Sequence, residues 1–465
     1  MIMKRYYLTI SLILTALASF SQNVQQRLSN ATELLLKDVQ MKHAMMSLYV
    51  VETKTGRAVY HLNEQTGLAA ASTQKLFTSI AAFDLLGKDY RFTTELGYNG
   101  NIENGVLKGN LFIIGYGDPT LGSWRFNETK RENVLNRIFI DTKNMGISRV
   151  EGDMIFDNSK FSYQPLPGGW IWDDIGNYYG AGTWGINWNE NQYDLLLIPG
   201  NKEGEDVKVA GTNPALENYQ PINLLKTGKS GSGDNGYIYM PPYSSKAFVT
   251  GTVPAGEKQF ILSGALPNPA YQMGKELEKK FIENNIEISG TVKTIEAGID
   301  SYNTFSTIIS PGLDSINYWF LQKSINLYGE ALLKKMAYEK TGHGSTDSGV
   351  EILKDFWSKK GIEKSALNIA DGSGLSPQNR LTTDALVKAL QYAKTRDWYS
   401  SFYNALPQYN GMKMKSGTIG GAKAYAGYHT SKSGIEYTFA IIINNYDDAA
   451  GSIAPKMFKV LDALK

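Results

Sequence analysis

The chain has no cysteine among its 465 residues, which excludes disulfide bonds and metal sites with thiolate ligands. It has no long basic run and a net charge of only +2, so no nucleic-acid partner is indicated. Past the N-terminal segment, no apolar stretch is long enough to span a bilayer. Histidine is scarce, at four residues, and none lies in a recognisable hydrolase motif, which makes a Ser-His-Asp triad the poorer account of any nucleophilic chemistry.

The N-terminus has the pattern of a targeting segment. Lys4 and Arg5 precede an apolar run over residues 6–17, and small residues follow as far as Ser21. This pattern predicts a cleaved secretory signal peptide over residues 1–21 and a periplasmic location, with no membrane span after cleavage. The alternative is an uncleaved anchor, for which the run is short. The remaining length exceeds one ordinary core and predicts two or three domains.

One short stretch carries the strongest chemical signal. Ser72 and Lys75 stand three residues apart, and residues 76–83 continue as an apolar run at helical spacing. At the start of a helix the two side chains share one face, so the lysine can be the base that activates the serine hydroxyl. No other serine in the chain has a lysine three positions later. The alternative is that Ser72 only caps a helix.

Two further motifs follow towards the other end of the chain. Ser324-x-Asn326 lies in a predicted helical region, where Ser315 begins a second Ser-Ile-Asn. Lys415-Ser416-Gly417-Thr418 precedes alternating residues typical of a strand. Lys226-Thr227-Gly228 has a similar spelling, but it comes before the second motif in a loose stretch. We therefore take Ser324 and Lys415 as the candidates.

The apolar pattern predicts a mixture of helices and strands. Helices are predicted over 24–39, 127–145, 271–284, 314–340 and 454–464. Strands are predicted over 46–51, 57–62, 91–98, 106–114, 150–156, 286–296 and 436–444. Because helical sequence with candidate catalytic residues resumes after a strand-rich middle, we expect that middle to be inserted into the first domain.

The ordered triple Ser-x-x-Lys, Ser-x-Asn and Lys-Ser-Gly is that of penicillin-interacting serine enzymes. The chain resembles their class C low-molecular-mass branch, the D-alanyl-D-alanine carboxypeptidase/endopeptidase family of penicillin-binding proteins. The resemblance covers essentially the whole mature chain and includes segments 71–75, 89–94, 105–111, 117–121 and 371–376. The long insertion between the first and second motifs, here from Ser72 to Ser324, is the mark of this branch.

The resemblance implies an α/β (α+β) penicillin-binding-protein/β-lactamase-like catalytic domain with two mostly-β domains inserted between the first and second motifs. The implied boundaries are 22–92 and 297–465 for the serine transpeptidase-like catalytic domain, 93–170 and 266–296 for inserted domain II, and 171–265 for inserted domain III. We expect the catalytic sheet to be antiparallel, to take strands from both chain ends and to carry helices on both faces.

The resemblance also implies a role for each motif residue. Ser72 forms an acyl-enzyme, and Lys75 takes its proton. Ser324 relays a proton to the leaving amine, and Asn326 holds Lys75 and the substrate amide. Lys415 offers positive charge to the terminal carboxylate of the substrate. The substrate-binding residues implied beside Lys415 are Ser416, Gly417 and Thr418.

The implied function is an exported serine-type D-alanyl-D-alanine carboxypeptidase/endopeptidase that acts on peptidoglycan stem peptides and binds β-lactam antibiotics, without a cofactor or metal. The alternative on the same scaffold is a β-lactamase or esterase, which is weakened because no deacylating glutamate motif is recognisable after the Ser72 helix. A third interpretation is a catalytically quiet wall-binding or penicillin-sensing protein. The presence of all five motif residues opposes it.

A specificity site is implied in the insert. Segments 169–174 and 178–181 resemble the family segment beside the catalytic cleft, where an aspartate matching Asp174 meets the free amine of a diaminopimelate side chain. We expect Tyr179 to pack on the aliphatic arm of that side chain, and partial desolvation to strengthen the ion pair. The alternative is that Asp173 and Asp174 cap the following turn and the tryptophans are core. Capping is likewise the simpler interpretation of Asp371 in its glycine-rich turn.

Overall fold

The computed structural model describes residues 24–465, so the predicted signal peptide over residues 1–21 lies outside the described residues. The chain divides into two compact units. The first contains the described residues up to Ile80 together with Lys354–Ile369 and Pro377–Lys465, and the second contains Ala81–Leu353 and Ala370–Ser376. Within residues 24–465, no helix combines the length and the apolar character needed to cross a membrane.

The first unit is built on a six-stranded antiparallel sheet with strands from both ends of the chain. The strands lie in the order Ala58–Leu62, Met45–Glu52, Glu436–Asn444, Ala422–Thr430, Met412–Ile419 and Gln408–Tyr409. A small ladder in the same unit pairs Leu367–Asn368 with Arg380–Leu381. The prediction that both chain ends share one antiparallel sheet is confirmed.

Helices pack on both faces of this sheet because its side chains alternate between two buried faces. The helix over residues 24–36 and the Ala454–Leu461 helix share a core with one face. That core includes Leu28, Leu48, Ile441, Ile443 and Val460. The Thr383–Lys394 helix covers the other face, where Ser47 Oγ lies 2.7 Å from Thr383 Oγ1.

The Lys75–Leu86 helix is buried from Lys75 to Phe83 and reaches the surface only in its last turn, at Leu85. Leu76, Phe77 and Ile80 are fully buried. The ring of Phe77 meets Trp357, in the Thr346–Ser358 helix, edge to face at 5.3 Å. The prediction of a largely buried helix after Ser72 is confirmed.

The second unit contains a five-stranded sheet of mixed direction. Its strands lie in the order Val292–Ile295, Met154–Asp157, Leu111–Gly115, Thr93–Tyr98 and Asn303–Ile309. Its core also holds the apolar faces of the Arg131–Asn144 and Pro269–Glu283 helices. A smaller sheet has the order Glu287–Ile288, Arg149–Val150, Val106–Lys108 and Asn101–Glu103.

Two more sheets of the second unit lie within residues 192–265 and share one apolar core. The first has the order Lys208–Asn213, Gln192–Ile198 and Phe260–Ala265. In the second, the Lys246–Pro254 strand pairs with Gln220–Asn223, Lys226–Gly228 and Asn235–Tyr239. This stretch is therefore mostly β, as predicted for the middle of the chain.

The predicted helix over 314–340 is two helices in the structure, Leu313–Gln322 and Asn326–Thr341. The break occurs where Ser324 adopts a φ of 57°, in the left-handed region. A right-handed helix cannot continue through that conformation. Periodicity alone did not reveal the break, because apolar residues recur at helical spacing on both sides of it.

The predicted strand over 286–296 is also divided, into Glu287–Ile288 and Val292–Ile295, which belong to different sheets. A Cβ on Gly290 between them would lie 2.3 Å from the Gly152 carbonyl oxygen, so only glycine fits this crossing. The Thr346–Ser358, Thr383–Lys394 and Tyr399–Ala405 helices had no sequence prediction. The mixed α/β fold class is confirmed, and the division into one catalytic and two inserted domains stays a prediction.

Candidate active site

Ser72 lies in a short 3-10 turn, Ala71–Gln74, that leads directly into the Lys75–Leu86 helix. Lys75 Nζ is 2.8 Å from Ser72 Oγ, within hydrogen-bonding distance. The Lys75 side chain is fully buried, while Ser72 is partly accessible. A reactive hydroxyl open to solvent beside a buried amine is the arrangement expected of an activated serine nucleophile.

The backbone on both sides of Ser72 is tightly constrained. Ala71 has a φ of 46°, a left-handed conformation that is strained for a residue with a Cβ. The Thr73 side chain donates to the Ala70 carbonyl oxygen at 2.7 Å and closes the turn. Such strain persists only where the surrounding structure enforces it, and it concentrates at functional sites.

The third motif provides that enforcement within the first unit. Lys415, Ser416, Gly417 and Thr418 lie on the Met412–Ile419 strand. A Cβ on Gly417 would lie 2.3 Å from the Ala70 carbonyl oxygen and 3.0 Å from the Ser72 amide nitrogen. The strand backbone therefore lies directly against the Ser72 turn, and glycine is required for this approach.

Lys415 is almost fully buried and its Nζ donates to the Ser416 carbonyl oxygen at 2.8 Å. Burial lowers the pKa of Lys415 well below its ordinary value, and the positive charges of Lys75 and Lys423 lower it further. Lys423 Nζ in turn donates to Thr418 Oγ1 at 2.6 Å. The structure thus places two buried amines, Lys75 and Lys415, close enough to disfavour each other's charge.

The second motif lies in the second unit, at the break between the Leu313–Gln322 and Asn326–Thr341 helices. The left-handed conformation of Ser324 makes this break, and Asn326 opens the next helix. Asn326 Nδ2 donates to the Tyr179 carbonyl oxygen at 2.8 Å. The second motif is thereby joined to the segment that carries Asp174 and Tyr179.

The two motif-like sequences that we did not take as candidates, at Ser315 and at Lys226, lie on the protein surface. Ser315 is exposed in the first turn of its helix, where its backbone N–H donates to the Asp314 carboxylate. Lys226 is on a strand of the second unit and forms a surface ion pair with Asp206 at 2.6 Å. Neither residue has the burial seen at Lys75 or Lys415.

Asp174 and Tyr179 interact through their side chains, and both are about half-buried. Burial raises the pKa of Asp174, the hydrogen bond from Tyr179 opposes the rise, and Asp173 adds to it. Burial raises the pKa of Tyr179 as well, with the Asp174 charge contributing. Of the neighbouring tryptophans, Trp170 is buried and Trp172 is 45% exposed, so the alternative in which both are core is wrong for Trp172.

The chain from residue 164 to residue 183, which we call the specificity segment, is held at both ends by a residue absent from the sequence predictions. Lys334 Nζ donates to the carbonyl oxygens of Gln164 and Thr183, each at 3.0 Å, and approaches that of Pro165 at 3.4 Å. Lys334 is fully buried, and burial lowers its pKa to about 7 although Glu330 partly opposes the shift. A lysine in a predicted helix is ordinarily a surface residue, so no sequence signal marked Lys334 as buried.

The middle of the specificity segment is held by the Asp371 turn. Asp371 accepts from the backbone N–H groups of Gly374 and Ser376 at 2.8 and 2.7 Å, as capping predicts. It also accepts from Trp170 Nε1 at 3.0 Å. The Ser376 side chain donates to the Gly169 carbonyl oxygen at 3.0 Å. The turn is therefore both capped and used to position the segment that carries Asp174.

Replacing Lys334 by methionine should loosen the specificity segment, because the buried carbonyls it binds lose their donor. We expect the free energy of unfolding to fall by about 1 to 3 kcal/mol. We also expect faster hydrogen–deuterium exchange across residues 164–183. Lys340→Met is the control, since Lys340 is exposed on the same helix. Unchanged exchange in the Lys334 variant would show that the segment is held by other contacts.

No group of histidine, aspartate and glutamate side chains that could hold a metal ion occurs in the part of the chain that the structure describes.

The profile of the D-Ala-D-Ala carboxypeptidase 3 (S13) family matches residues 28–463. The chain belongs to this family. It is accordingly a serine-type D-alanyl-D-alanine carboxypeptidase, and the resemblance inferred from the motifs is confirmed.

Relatives of the S13 family align along most of the chain. The D-alanyl-D-alanine carboxypeptidase of Actinomadura sp. (strain R39) is 26% identical over 471 residues, covering 94% of this chain and 84% of the relative. D-alanyl-D-alanine carboxypeptidase DacB of Haemophilus influenzae is 25% identical over 460 residues, covering 94% of each. The crystal structure of penicillin binding protein 4 (dacB) from Haemophilus influenzae superposes with a TM-score of 0.80 at 23% identity, covering 93% of this chain and 97% of that one, and shows the shared fold.

Proposed function

We propose that this S13 family member is an exported D-alanyl-D-alanine carboxypeptidase/endopeptidase that cleaves peptidoglycan stem peptides through an acyl-enzyme on Ser72. The observation that carries the proposal is the 2.8 Å separation of Lys75 Nζ and Ser72 Oγ. At that distance a neutral amine can accept the hydroxyl proton while the oxygen attacks a carbonyl carbon. Ser72 lies in a turn packed closely against Gly417, and Lys75 begins the helix that follows, which keeps the geometry ready for attack.

Acylation then proceeds with one bond formed and one broken. Ser72 Oγ bonds to the carbonyl carbon of the penultimate D-alanine, and its proton passes to Lys75. The backbone N–H groups of Ser72 and Thr418 stabilise the oxyanion. In this proposal Ser324 passes the proton to the nitrogen of the terminal D-alanine, which leaves as a free amine. Asn326 holds the substrate amide, and water later hydrolyses the ester.

The two buried lysines, Lys75 and Lys415, are not expected to be positively charged at the same time. Burial and mutual repulsion disfavour an ammonium at both Lys75 and Lys415 at once. A substrate carboxylate beside Lys415 stabilises the charge there and leaves Lys75 as the neutral base. Substrate binding therefore prepares the nucleophile, which would give selectivity for peptides with a free C-terminal carboxylate.

The Met412–Ile419 strand offers an edge to an extended peptide. On one side it pairs with Ala422–Thr430 along its length. On the other side, the described ladder with Gln408–Tyr409 ends at Lys413. The backbone at Ser416, Gly417 and Thr418 can therefore bind substrate as an added strand, which supports their proposed role.

Mass spectrometry of the protein incubated with penicillin tests this function. A long-lived adduct on Ser72, together with release of D-alanine from a stem pentapeptide, is the expected result. Rapid turnover of penicillin without peptide cleavage would instead identify a β-lactamase or esterase. Absence of any adduct and of any turnover would leave a wall-binding protein without catalysis.

We propose export to the periplasm on the basis of the N-terminal pattern of residues 1–21. Peptidoglycan stem peptides and β-lactam antibiotics are the proposed binding partners. A solved relative of the same fold was crystallised as a complex with a novel β-lactam, and it aligns with a TM-score of 0.75 at 21% identity. Fractionation of cells that express the full chain tests the location, and recovery in the cytoplasm would contradict it.

Asp174→Asn should lower kcat/KM for a stem peptide that bears a free side-chain amine, by about tenfold. The half-buried Asp174 carboxylate pairs with that amine in a medium of reduced dielectric constant, and the amide of asparagine carries no charge to replace it. Steady-state hydrolysis of matched peptides with and without the amine measures the effect.

A short peptide without the amine, and acylation by a simple penicillin, should be little affected by Asp174→Asn. Asp173→Asn is the matched control. The Asp173 carboxylate accepts a hydrogen bond from Tyr239 at 3.0 Å, so we expect its loss to leave the preference for the free amine unchanged. Equal losses on all three substrates would mean that Asp174 is structural.

A further inference from the structure

A row of rings lies on the outer face of one sheet of the second unit. Phe248 and Tyr239 face each other across adjacent strands, stacked with ring centroids 4.5 Å apart and planes 8° apart. Trp172 continues the row, 5.7 Å from Tyr239. Tyr237 lies two residues before Tyr239, on the same strand face. We call these four side chains the aromatic ledge.

The ledge residues do not belong to the apolar core of their sheet. Ile238 and Val249, which alternate with the ledge residues, are the ones that enter the apolar core. Trp172 is 45% exposed and Tyr237 is 42% exposed. Neighbouring apolar side chains that are left open to solvent mark interaction surfaces.

The ledge is held to the specificity segment by polar contacts. Tyr239 Oη donates to Asp173 Oδ1 at 3.0 Å, and the Ile238 backbone N–H donates to Asn177 Oδ1 at 3.1 Å. A Cβ on Gly176 would lie 2.0 Å from the Ile238 carbonyl oxygen, so the strand and the segment are in direct backbone contact. Trp172 also shares its four-residue helix with Asp174.

We propose that the aromatic ledge binds the glycan strand of peptidoglycan, a neutral chain of N-acetylated pyranose sugars. The C–H faces of pyranose rings are apolar and carry a slight positive polarisation, which suits the negative faces of aromatic rings. The proposal rests on the proposed function, because the stem peptides that meet Asp174 are attached to that glycan. A polymer lying on the ledge would present its own stem peptides to the specificity segment.

The charges around the ledge favour a neutral ligand. Asp173 accepts a hydrogen bond from Tyr239, Asp174 shares the short helix of Trp172, and Lys246 lies two residues before Phe248 on the same strand face. These three residues do not form the cluster of basic side chains that attracts an anionic lipid surface. The Tyr237 and Tyr239 hydroxyls supply hydrogen-bonding groups of the kind that sugar hydroxyls and acetamido groups use.

Peptidoglycan from which an amidase has removed the stem peptides, and whose freed lactyl carboxylates have then been converted to methyl amides, gives a neutral stripped glycan. Co-sedimentation of the full chain with this stripped glycan tests the proposal. We expect the wild-type protein to bind the stripped glycan. Trp172→Ala and Phe248→Ala should each weaken binding by about tenfold, since each removes a stacking surface. Trp124→Ala is the matched control, because Trp124 is a tryptophan of similar exposure, 49%, in the same unit.

A second measurement separates this proposal from the hydrolase proposal. Ser72→Ala should bind stripped glycan as well as the wild type, whatever its activity. Phe248→Ala should raise KM for intact peptidoglycan and leave hydrolysis of a soluble stem peptide unchanged. Equal glycan binding by the wild type and both ledge variants would overturn the proposal. Loss of binding to vesicles of anionic phospholipid in those variants, with glycan binding unaffected, would instead make the ledge a membrane contact.

Discussion

Ser72→Ala is expected to abolish covalent labelling by penicillin and to reduce D-alanine release by several orders of magnitude. The alanine has no oxygen to form the ester, and removal of one member of a nucleophilic pair usually eliminates the benefit of the other. Lys75→Ala should give a comparable loss, because it removes the amine that lies 2.8 Å from Ser72 Oγ. Mass spectrometry of the acylated protein and a D-alanine assay measure both effects.

Two matched controls exist within the chain for these variants. Ser315→Ala and Lys226→Ala remove a serine and a lysine from surface copies of the second and third motif spellings, and both should retain wild-type acylation. Thermal unfolding should show that Ser72→Ala is folded, and Lys75→Met preserves side-chain volume if Lys75→Ala is unstable. Acylation of Lys75→Ala at a rate near that of the wild type would refute the assignment of Lys75 as the base.

Gly417→Ala is expected to slow acylation by about 10²-fold, because small displacements of reacting groups have effects of that size. The added methyl would lie 2.3 Å from the Ala70 carbonyl oxygen and 3.0 Å from the Ser72 amide nitrogen. Those contacts are with backbone, so the strand or the Ser72 turn must shift to relieve them. Stopped-flow acylation by a chromogenic β-lactam measures the rate.

Gly420→Ala is the control for this effect, because a Cβ at Gly420, three residues further on, would have no neighbour within 4 Å. Both glycines have backbone angles accessible to alanine, which leaves steric contact as the difference between them. A Gly417→Ala enzyme that acylates at the wild-type rate would show that the close approach has no catalytic role.

The proximity of Ser72 and Lys75 was predictable because it depends on short sequence separation. Ser72 and Lys75 are three residues apart, and one helical turn is enough to bring their side chains together. The order of the three motifs indicated the family without any structural information. Alternation of apolar residues likewise predicted the hairpin of the first sheet, Met45–Glu52 with Ala58–Leu62.

The predictions failed where the backbone departs from its local pattern. Apolar residues recur at helical spacing on both sides of the break at Ser324, so periodicity predicted one helix where the structure has two. The positive φ at Ser324 and at Ala71 occurs in residues that do not favour it. Such conformations are imposed by surrounding contacts, which single-sequence patterns do not contain.

The sequence by itself determined which groups we propose for the chemistry, since the identity and spacing of Ser72 and Lys75 are properties of one turn. Only the tertiary structure decided how the specificity segment is held. Lys334 reaches carbonyl oxygens 170 and 151 residues away, and the Trp170 indole meets Asp371 across 201 residues. Hydrophobic periodicity predicts which side of a helix faces the core, but it does not predict which distant carbonyl oxygen a side chain of that helix will bind. Those partners are chosen by chain topology and packing, and they appear only when the chain has folded.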